Sequence, residues 1–177
     1  WGRETLLERM PPFLGGGEMI QEVFLEKSTW AELPHKFEAG TPAIGEAIGM
    51  GEALKYLQKI GLNKIQNWEK EITSYLYEKL QKIDGIEILG PSPDKQPNRG
   101  SLVTFTAQKA HANDIAELLD TNGICIRSGH HCCQPLHRFY GLSSSARASL
   151  SFTTTKLEID YFIEELSSTL AFIQKNS

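Results

Sequence analysis

One short segment of the sequence concentrates the side chains that could do covalent chemistry. The segment Arg127–Arg138 reads Arg-Ser-Gly-His-His-Cys-Cys-Gln-Pro-Leu-His-Arg. It places the imidazoles of His130 and His131 beside the thiols of Cys132 and Cys133. A free thiol titrates near ~8.5, so a thiolate at neutral pH needs positive charge nearby. The two histidines and the arginine that begins the segment could supply that charge, which predicts a reactive cysteine here.

Two other interpretations fit the same residues. The segment could be a buried structural loop with inert thiols, or it could bind zinc, because histidine and cysteine are zinc ligands. Against zinc, the sequence has no Cys-x-x-Cys pair. Adjacent ligands such as Cys132 and Cys133 also chelate one ion awkwardly. The residues alone favour a reactive thiol and no metal, but they leave both alternatives open.

The use of cysteine indicates a reducing compartment. The three cysteines, Cys125, Cys132 and Cys133, form an odd and tightly clustered set. Such a set is a poor disulfide framework. Adjacent cysteines rarely bridge, because the ring they close is strained. We therefore expect three free thiols.

Composition excludes several classes of protein. The chain has 177 residues, a net charge of −4, 40% hydrophobic and 23% charged residues. These are ordinary globular values, so wholesale disorder is not expected. No basic run suggests a nucleic-acid partner, and no apolar stretch approaches the ~18 residues that a membrane helix needs. The sequence starts at Trp1 without an initiator Met, and we expect it to be a piece of a longer chain.

The elements that must position the reactive segment are helices and strands in alternation. Residues 1–42 are rich in Pro and Gly, and they predict loops. The predicted helices span 43–60, 62–83 (with an Asn63/Gln66 capping box), 111–120, and a final helix behind a Thr155/Glu158 capping box; the predicted strands span 86–89, 101–106, 124–127 and 146–152. This order predicts a small α/β sandwich. The reactive segment would follow the strand 124–127.

Three motifs, in one order along the chain, resemble a known family. Arg-Ser-Gly-His-His-Cys from Arg127, followed by Arg-Ala-Ser-Leu from Arg147, is similar to the C-terminal part of Suf-type (group II) cysteine desulfurases and selenocysteine lyases. These are pyridoxal-phosphate enzymes of the class V aminotransferase family. Residues 11–20, Pro-Pro-Phe-Leu-Gly-Gly-Gly-Glu-Met-Ile, resemble the glycine-rich loop of that family. Residues 36–42, Lys-Phe-Glu-Ala-Gly-Thr-Pro, resemble another of its signature segments.

The resemblance implies a fold and a domain division. The chain would be the C-terminal part of a fold-type I pyridoxal-phosphate-dependent transferase, with mixed α/β structure. Residues 1–61 would end the large cofactor-binding domain, with cofactor and dimer loops and a connecting helix. Residues 62–177 would form the small C-terminal α/β domain that carries the reactive cysteine. The lysine that forms the imine with pyridoxal 5'-phosphate would lie upstream of this chain, so the fragment alone is expected to be inactive.

The resemblance also implies roles for individual residues. Cys132 matches the nucleophile that holds sulfur as a persulfide, and Arg147 matches the arginine that binds the substrate carboxylate. A guanidinium suits that task because its fork meets both carboxylate oxygens. Arg127 is expected near the substrate or the thiolate. Thr41 matches a residue that reaches the cofactor phosphate of the neighbouring subunit, although it could also cap the helix that follows.

Three further residues, His130, His131 and Gly15, are expected near the site, and Cys133 leaves some doubt about which sulfur reacts. The implied activity is conversion of L-cysteine to L-alanine. The persulfide sulfur would pass to a Suf-type acceptor protein for iron–sulfur cluster assembly. The implied enzyme is a homodimer of the bacterial cytoplasm or the plastid stroma. The alternatives are a selenocysteine lyase, with L-selenocysteine as substrate, or a non-enzymatic sulfur- or metal-binding module.

Overall fold

The structure is a computed structural model that describes residues 1–176. Its chain divides into two compact units, Trp1–Lys59 and the residues from Ile60 onward. Assignment of these units to a large and a small domain stays a prediction. In the described residues, no helix is both long enough and apolar enough to cross a membrane.

The first unit is built mainly of short elements. Its elements are α1 (Glu4–Leu7), the antiparallel strands β1 (Ile20–Val23) and β2 (Ser28–Trp30), a 3-10 helix (His35–Phe37) and α2 (Ile44–Ile60). Met19, next to β1, is fully buried. The apolar side chains of α2 predicted a helix, and the helix forms, but none of its residues is buried. Ile44, Ile48 and Leu54 are all exposed.

The second unit is a four-stranded antiparallel sheet with helices. Its elements are α3 (Leu62–Leu80), β3 (Ile86–Leu89), β4 (Leu102–Ala107), α4 (Ala112–Asp120), β5 (Arg127–Gly129), α5 (Gln134–Tyr140), β6 (Ser145–Ser149) and α6 (Lys156–Asn176). The strand order is β3-β4-β6-β5. Each neighbouring pair is antiparallel. The predicted α/β class is confirmed.

One face of the sheet forms the core against α3, α4 and α6. Alternate residues of β4 and β6 point into it, since side chains along a strand alternate between faces. The fully or nearly fully buried core residues include Ile72, Leu76, Leu80, Val103, Phe105, Ile115, Leu119, Ala146, Ala148, Ile159, Phe162, Leu166 and Leu170. The rings of Phe105 and Phe162 lie 6.5 Å apart. The other face of β4 and β6 therefore carries Thr104, Ser145 and Arg147.

Of the two predicted capping boxes, one forms and the other does not. The Thr155/Glu158 capping box is confirmed: the Thr155 N–H donates to Glu158 Oε2 at 2.7 Å, and the Glu158 N–H donates to Thr155 Oγ1 at 3.3 Å. The Asn63/Gln66 box is wrong, because α3 begins at Leu62 with Gly61 as its N-cap residue. Asn63 therefore lies inside the helix, where its side chain cannot cap the first turn.

The strand predicted over 124–127 is displaced. Residues 124–126 do not pair, and β5 spans Arg127–Gly129 instead. The strand therefore includes the first residues of the reactive segment. The short helix α5, which follows the two cysteines, was not predicted.

Candidate active site

The reactive segment begins in a strand at the edge of the sheet. In the β5–β6 ladder Arg127 pairs with Arg147, and Gly129 pairs with Ser145. Residues directly opposite each other in a ladder project from the same face. Arg127 and Arg147 therefore both leave the sheet on the face opposite the core. The pairing brings together the two arginines that the sequence placed in separate motifs.

The chain then makes a tight turn in left-handed backbone. Gly129, His131 and Cys132 have φ values of +105°, +52° and +59°. Glycine adopts such angles freely, whereas a residue with a Cβ is disfavoured there by about 1–2 kcal/mol. The Cys133 N–H closes the turn on the His130 carbonyl oxygen at 2.9 Å. The Cys132 side chain is exposed at the turn.

A cation lies against the Cys132 thiol. Arg127 Nη2 donates to Cys132 Sγ at 3.4 Å. The contact places a positively charged group directly against the sulfur. The sequence suggested this arrangement for the segment, and the structure supplies the pair of atoms.

The second thiol has different surroundings. Cys133 is half-buried, and its Sγ donates to the His130 carbonyl oxygen at 3.0 Å. The same sulfur is 3.9 Å from His137 Nδ1. The adjacent thiols of Cys132 and Cys133 therefore face different environments, one open to solvent beside an arginine and the other turned inward.

A chain of hydrogen bonds lies beneath the turn. Ser145 Oγ is 3.1 Å from His131 Nε2 and 2.9 Å from His137 Nε2. His137 Nδ1 is in turn 3.2 Å from the backbone oxygen of Cys133. Ser145 and His137 are both buried. Neither was predicted as a site residue, and a single serine in a strand gives no sequence signal that could have revealed it.

The same face holds a cavity of about 250 Å³. Its lining includes Thr104, His131, Cys133, His137 and Arg147. Among the residues described, two buried side-chain nitrogens have no hydrogen-bond partner, namely Arg147 Nε and His131 Nδ1. Because an unpaired buried donor is unfavourable, the Arg147 guanidinium fits an anionic ligand such as a carboxylate.

Burial is the main cause of a lowered pKa for His131. The positive charges of Arg147 and Arg127 lower the His131 pKa further, and so does His137. The ring is therefore mostly uncharged at neutral pH. It can accept a proton or a hydrogen bond there, but it adds no positive charge to the site. The charge that faces the thiol comes from arginine.

The side chain of His130 is exposed beside the turn. The two other predicted residues, Thr41 and Gly15, lie in the first unit. Thr41 and Gly15 are both exposed. Thr41 is not the N-cap of α2, because that helix begins three residues later, at Ile44. Gly40 has φ +78°, and the place where its Cβ would lie is open. An exposed hydroxyl after an open glycine fits a phosphate group.

In residues 1–176 no three His, Cys, Asp or Glu side chains are grouped so that they could hold a metal ion.

One family model matches most of the chain. The family model described as aminotransferase class-V matches residues 1–162. The chain belongs to the class-V aminotransferase family. The family resemblance inferred from the three motifs is therefore confirmed.

Curated relatives carry a more specific name. A protein of Synechocystis sp., named "Probable cysteine desulfurase", is 53% identical over 97% of this chain and 41% of its own length. A protein of the same name from Staphylococcus aureus is 46% identical over the same shares. This class-V chain thus spans about 41% of the curated relatives it matches.

Solved structures give the same result. A cysteine desulfurase of Escherichia coli, in an S-sulfonic acid form, has a TM-score of 0.86 and 31% identity, over 97% of this chain and 42% of its own. The apo cysteine desulfurase of Thermococcus onnurineus has a TM-score of 0.86 and 32% identity over the same shares. The prediction that this chain is part of a fold-type I transferase agrees with these neighbours. Their chains are more than twice as long as this one.

Proposed function

We propose that the whole protein containing this chain is a cysteine desulfurase, which converts L-cysteine to L-alanine. The observation that carries the proposal is the 3.4 Å contact between Arg127 Nη2 and Cys132 Sγ. Arg147 stands opposite Arg127 in the ladder. A reactive sulfur and a carboxylate-binding cation on one sheet face are what an amino acid with a β-sulfur requires. The names of the curated relatives support the same activity.

In this proposal the thiolate of Cys132 attacks the sulfur of the bound cysteine. A sulfur–sulfur bond forms as the carbon–sulfur bond breaks, and the electron pair stays with the carbon. That carbon takes up a proton and becomes the methyl group of alanine, while Cys132 keeps the sulfur as a persulfide. Arg127 stabilises the negative charge on the attacking sulfur, and Arg147 holds the substrate carboxylate with its planar fork.

The cofactor of the proposed enzyme is pyridoxal 5'-phosphate. When bound, it draws electrons from the α-carbon of the substrate and so weakens the bond to sulfur. Thr41, with the open backbone at Gly40, fits the phosphate group. We propose that Thr41 serves the site of a partner subunit, and hence that the enzyme is a homodimer. We propose that the lysine that binds the cofactor covalently lies in the part of the protein outside this chain.

The exposed position of Cys132 allows its sulfur to pass to another protein. Because Cys132 Sγ is exposed, a persulfide formed there is open to attack by a thiol of another protein. We propose a Suf-type acceptor protein for iron–sulfur cluster assembly as its recipient. The cytoplasm of a bacterium or the plastid stroma, where thiols stay reduced, suits this chemistry.

The test uses the full-length protein loaded with pyridoxal 5'-phosphate, with L-cysteine and a reductant. Wild-type protein is expected to release alanine and sulfide in equal amounts. Cys132→Ala should abolish alanine formation, and the matched control Cys133→Ala should retain most of it. If the two variants exchange behaviour, the reactive sulfur is that of Cys133. If L-selenocysteine reacts while L-cysteine does not, the enzyme is a selenocysteine lyase.

A further inference from the structure

A buried hydroxyl links two histidines, one on each side of Cys132 in the sequence. Ser145 is fully buried in β6. Its Oγ contacts His131 Nε2 at 3.1 Å and His137 Nε2 at 2.9 Å. His131 precedes Cys132 directly. His137 contacts the backbone oxygen of Cys133, the residue after it, through Nδ1 at 3.2 Å.

The direction of these hydrogen bonds follows from the donors available. A carbonyl oxygen only accepts, so the Cys133 oxygen requires a proton on His137 Nδ1. In a neutral ring His137 Nε2 then accepts, and it must receive the Ser145 O–H. The Ser145 oxygen in turn accepts from His131 Nε2–H.

This direction leaves His131 Nδ1 without a proton. That nitrogen is one of the two buried nitrogens without a partner in the described residues. Because a buried N–H without an acceptor is rarer in proteins than an under-used acceptor, the unprotonated form suits the site. Each of the three hydrogen bonds, from His131 to Ser145, from Ser145 to His137 and from His137 to the Cys133 oxygen, then joins one donor to one acceptor.

We propose that Ser145 is a positioning residue for Cys132: through the rings of His131 and His137, its hydroxyl holds both sides of the turn that presents the thiol. Its effect on turnover rests on the proposed desulfurase activity. The hydrogen-bond chain itself does not depend on that activity.

The turn needs such support because of its backbone. His131 and Cys132 both have positive φ. Residues other than glycine keep this conformation only where surrounding contacts hold them. Without the Ser145 hydroxyl, both rings lose a buried partner at once. The turn can then relax, and Cys132 Sγ moves away from the Arg127 guanidinium.

The first experiment needs no activity and no substitution at Ser145. Full-length wild-type protein is labelled with ¹⁵N-histidine, and the tautomers are read from the ring-nitrogen shifts, with signals assigned in His131→Asn and His137→Asn. We expect the proton of His131 on Nε2 and that of His137 on Nδ1. The reverse pattern at either ring would overturn the proposal.

The second experiment measures turnover in the loaded full-length enzyme. Ser145→Ala is expected to lower kcat about ten-fold or more, with KM nearly unchanged, because the thiol is displaced while Arg147 is not. Ser145→Thr keeps the hydroxyl, and it should recover most of the activity. Ser144→Ala is the matched control, since it removes the neighbouring hydrogen bond of 3.1 Å to His111 Nε2. It should leave kcat within about two-fold.

The outcomes separate positioning from packing. Equal loss in Ser145→Thr and Ser145→Ala, or no loss in a folded Ser145→Ala, would overturn the proposal. If Ser145→Ala does not fold, the tautomers and Ser145→Thr decide. If wild-type protein forms no alanine, the proposed function fails by itself. Hydrogen exchange of residues 129–134, expected to quicken in Ser145→Ala but not in Ser144→Ala, then tests the chain, and equal exchange would refute it.

Discussion

Arg127 and Arg147 stand directly opposite each other in the β5–β6 ladder, so two cations leave the sheet side by side. Like charges in this arrangement are destabilising. No carboxylate salt bridge compensates for either of them within residues 1–176. The Arg127 guanidinium contacts the sulfur of Cys132, whereas Arg147 Nε is buried without a partner and is suited to an anion that binds from outside the chain.

Removal of the Arg127 cation should weaken the nucleophile. Arg127→Ala is expected to lower kcat about ten-fold or more, because a charged hydrogen bond contributes roughly 1.5–3 kcal/mol. The kcat of Arg127→Lys should lie between those of Arg127→Ala and wild type, since lysine keeps the charge but lacks the planar fork. Arg138→Ala, at an exposed position on α5, is the matched control for a lost positive charge. Equal rates in Arg127→Ala and Arg138→Ala would contradict the role of Arg127.

Arg147 should control substrate binding. In Arg147→Lys the charge remains, but the bidentate contact with a carboxylate is lost. We expect kcat/KM for L-cysteine to fall about ten-fold or more, which corresponds to at least ~1.4 kcal/mol, mostly through KM. The measurement is steady-state alanine formation over a range of L-cysteine concentrations. Unchanged kinetics would leave Arg147 a structural residue of β6.

The lowered pKa of His131 gives a prediction about acid. The folded protein holds the proton of this ring less tightly than the unfolded chain, whose histidine pKa is 6.5. The contribution of the uncharged His131 ring to the free energy of unfolding is therefore complete above pH 6.5. It is lost progressively as the pH falls below 6.5 toward the lower pKa of the folded state. His131→Asn should reduce the fall in Tm between pH 8 and pH 5.5, measured on full-length protein by calorimetry. His130→Asn, which alters an exposed ring, is the control. An identical fall in all three proteins would contradict the prediction.

The proposed dimer can be tested by mixing two weak variants. If Thr41 serves the opposite site, a hybrid of Thr41→Ala and Cys132→Ala subunits has one site with both lesions and one with neither. Activity should therefore reappear on mixing. Subunits carrying different affinity tags allow the hybrid to be isolated and its alanine formation measured. A purified hybrid without recovered activity would place Thr41 in its own subunit's site.

The elements that sequence predicted well are those with long apolar periodicity. The buried face of α6, from Ile159 to Leu170, and its capping box emerged from spacing alone. The same spacing overstates burial at the start of α3, where Leu62 continues the apolar pattern of the helix but is 62% exposed. Apolar spacing identifies a helix face, but it does not say how much of that face another element covers.

The site was predictable in part, for a related reason. Cys132 and Arg127 lie in one dense segment, so their proximity was expected. The segment Gln134–Tyr140 gave no helical pattern, because Pro135, His137 and Arg138 interrupt any apolar stripe, yet α5 places His137 beneath the turn. Ser145 lies in β6, and its hydroxyl contacts His131 in the turn and His137 in α5. No local spacing reveals such a contact.

The apolar face of α2 has a practical consequence for handling the protein. Ile44, Ile48 and Leu54 are exposed along this helix, and Phe13 and Leu25 are exposed in the same unit. Exposed apolar groups of this extent promote association between copies. The isolated chain should therefore have low colloidal stability, with aggregation that grows with concentration and dye binding typical of open apolar surface.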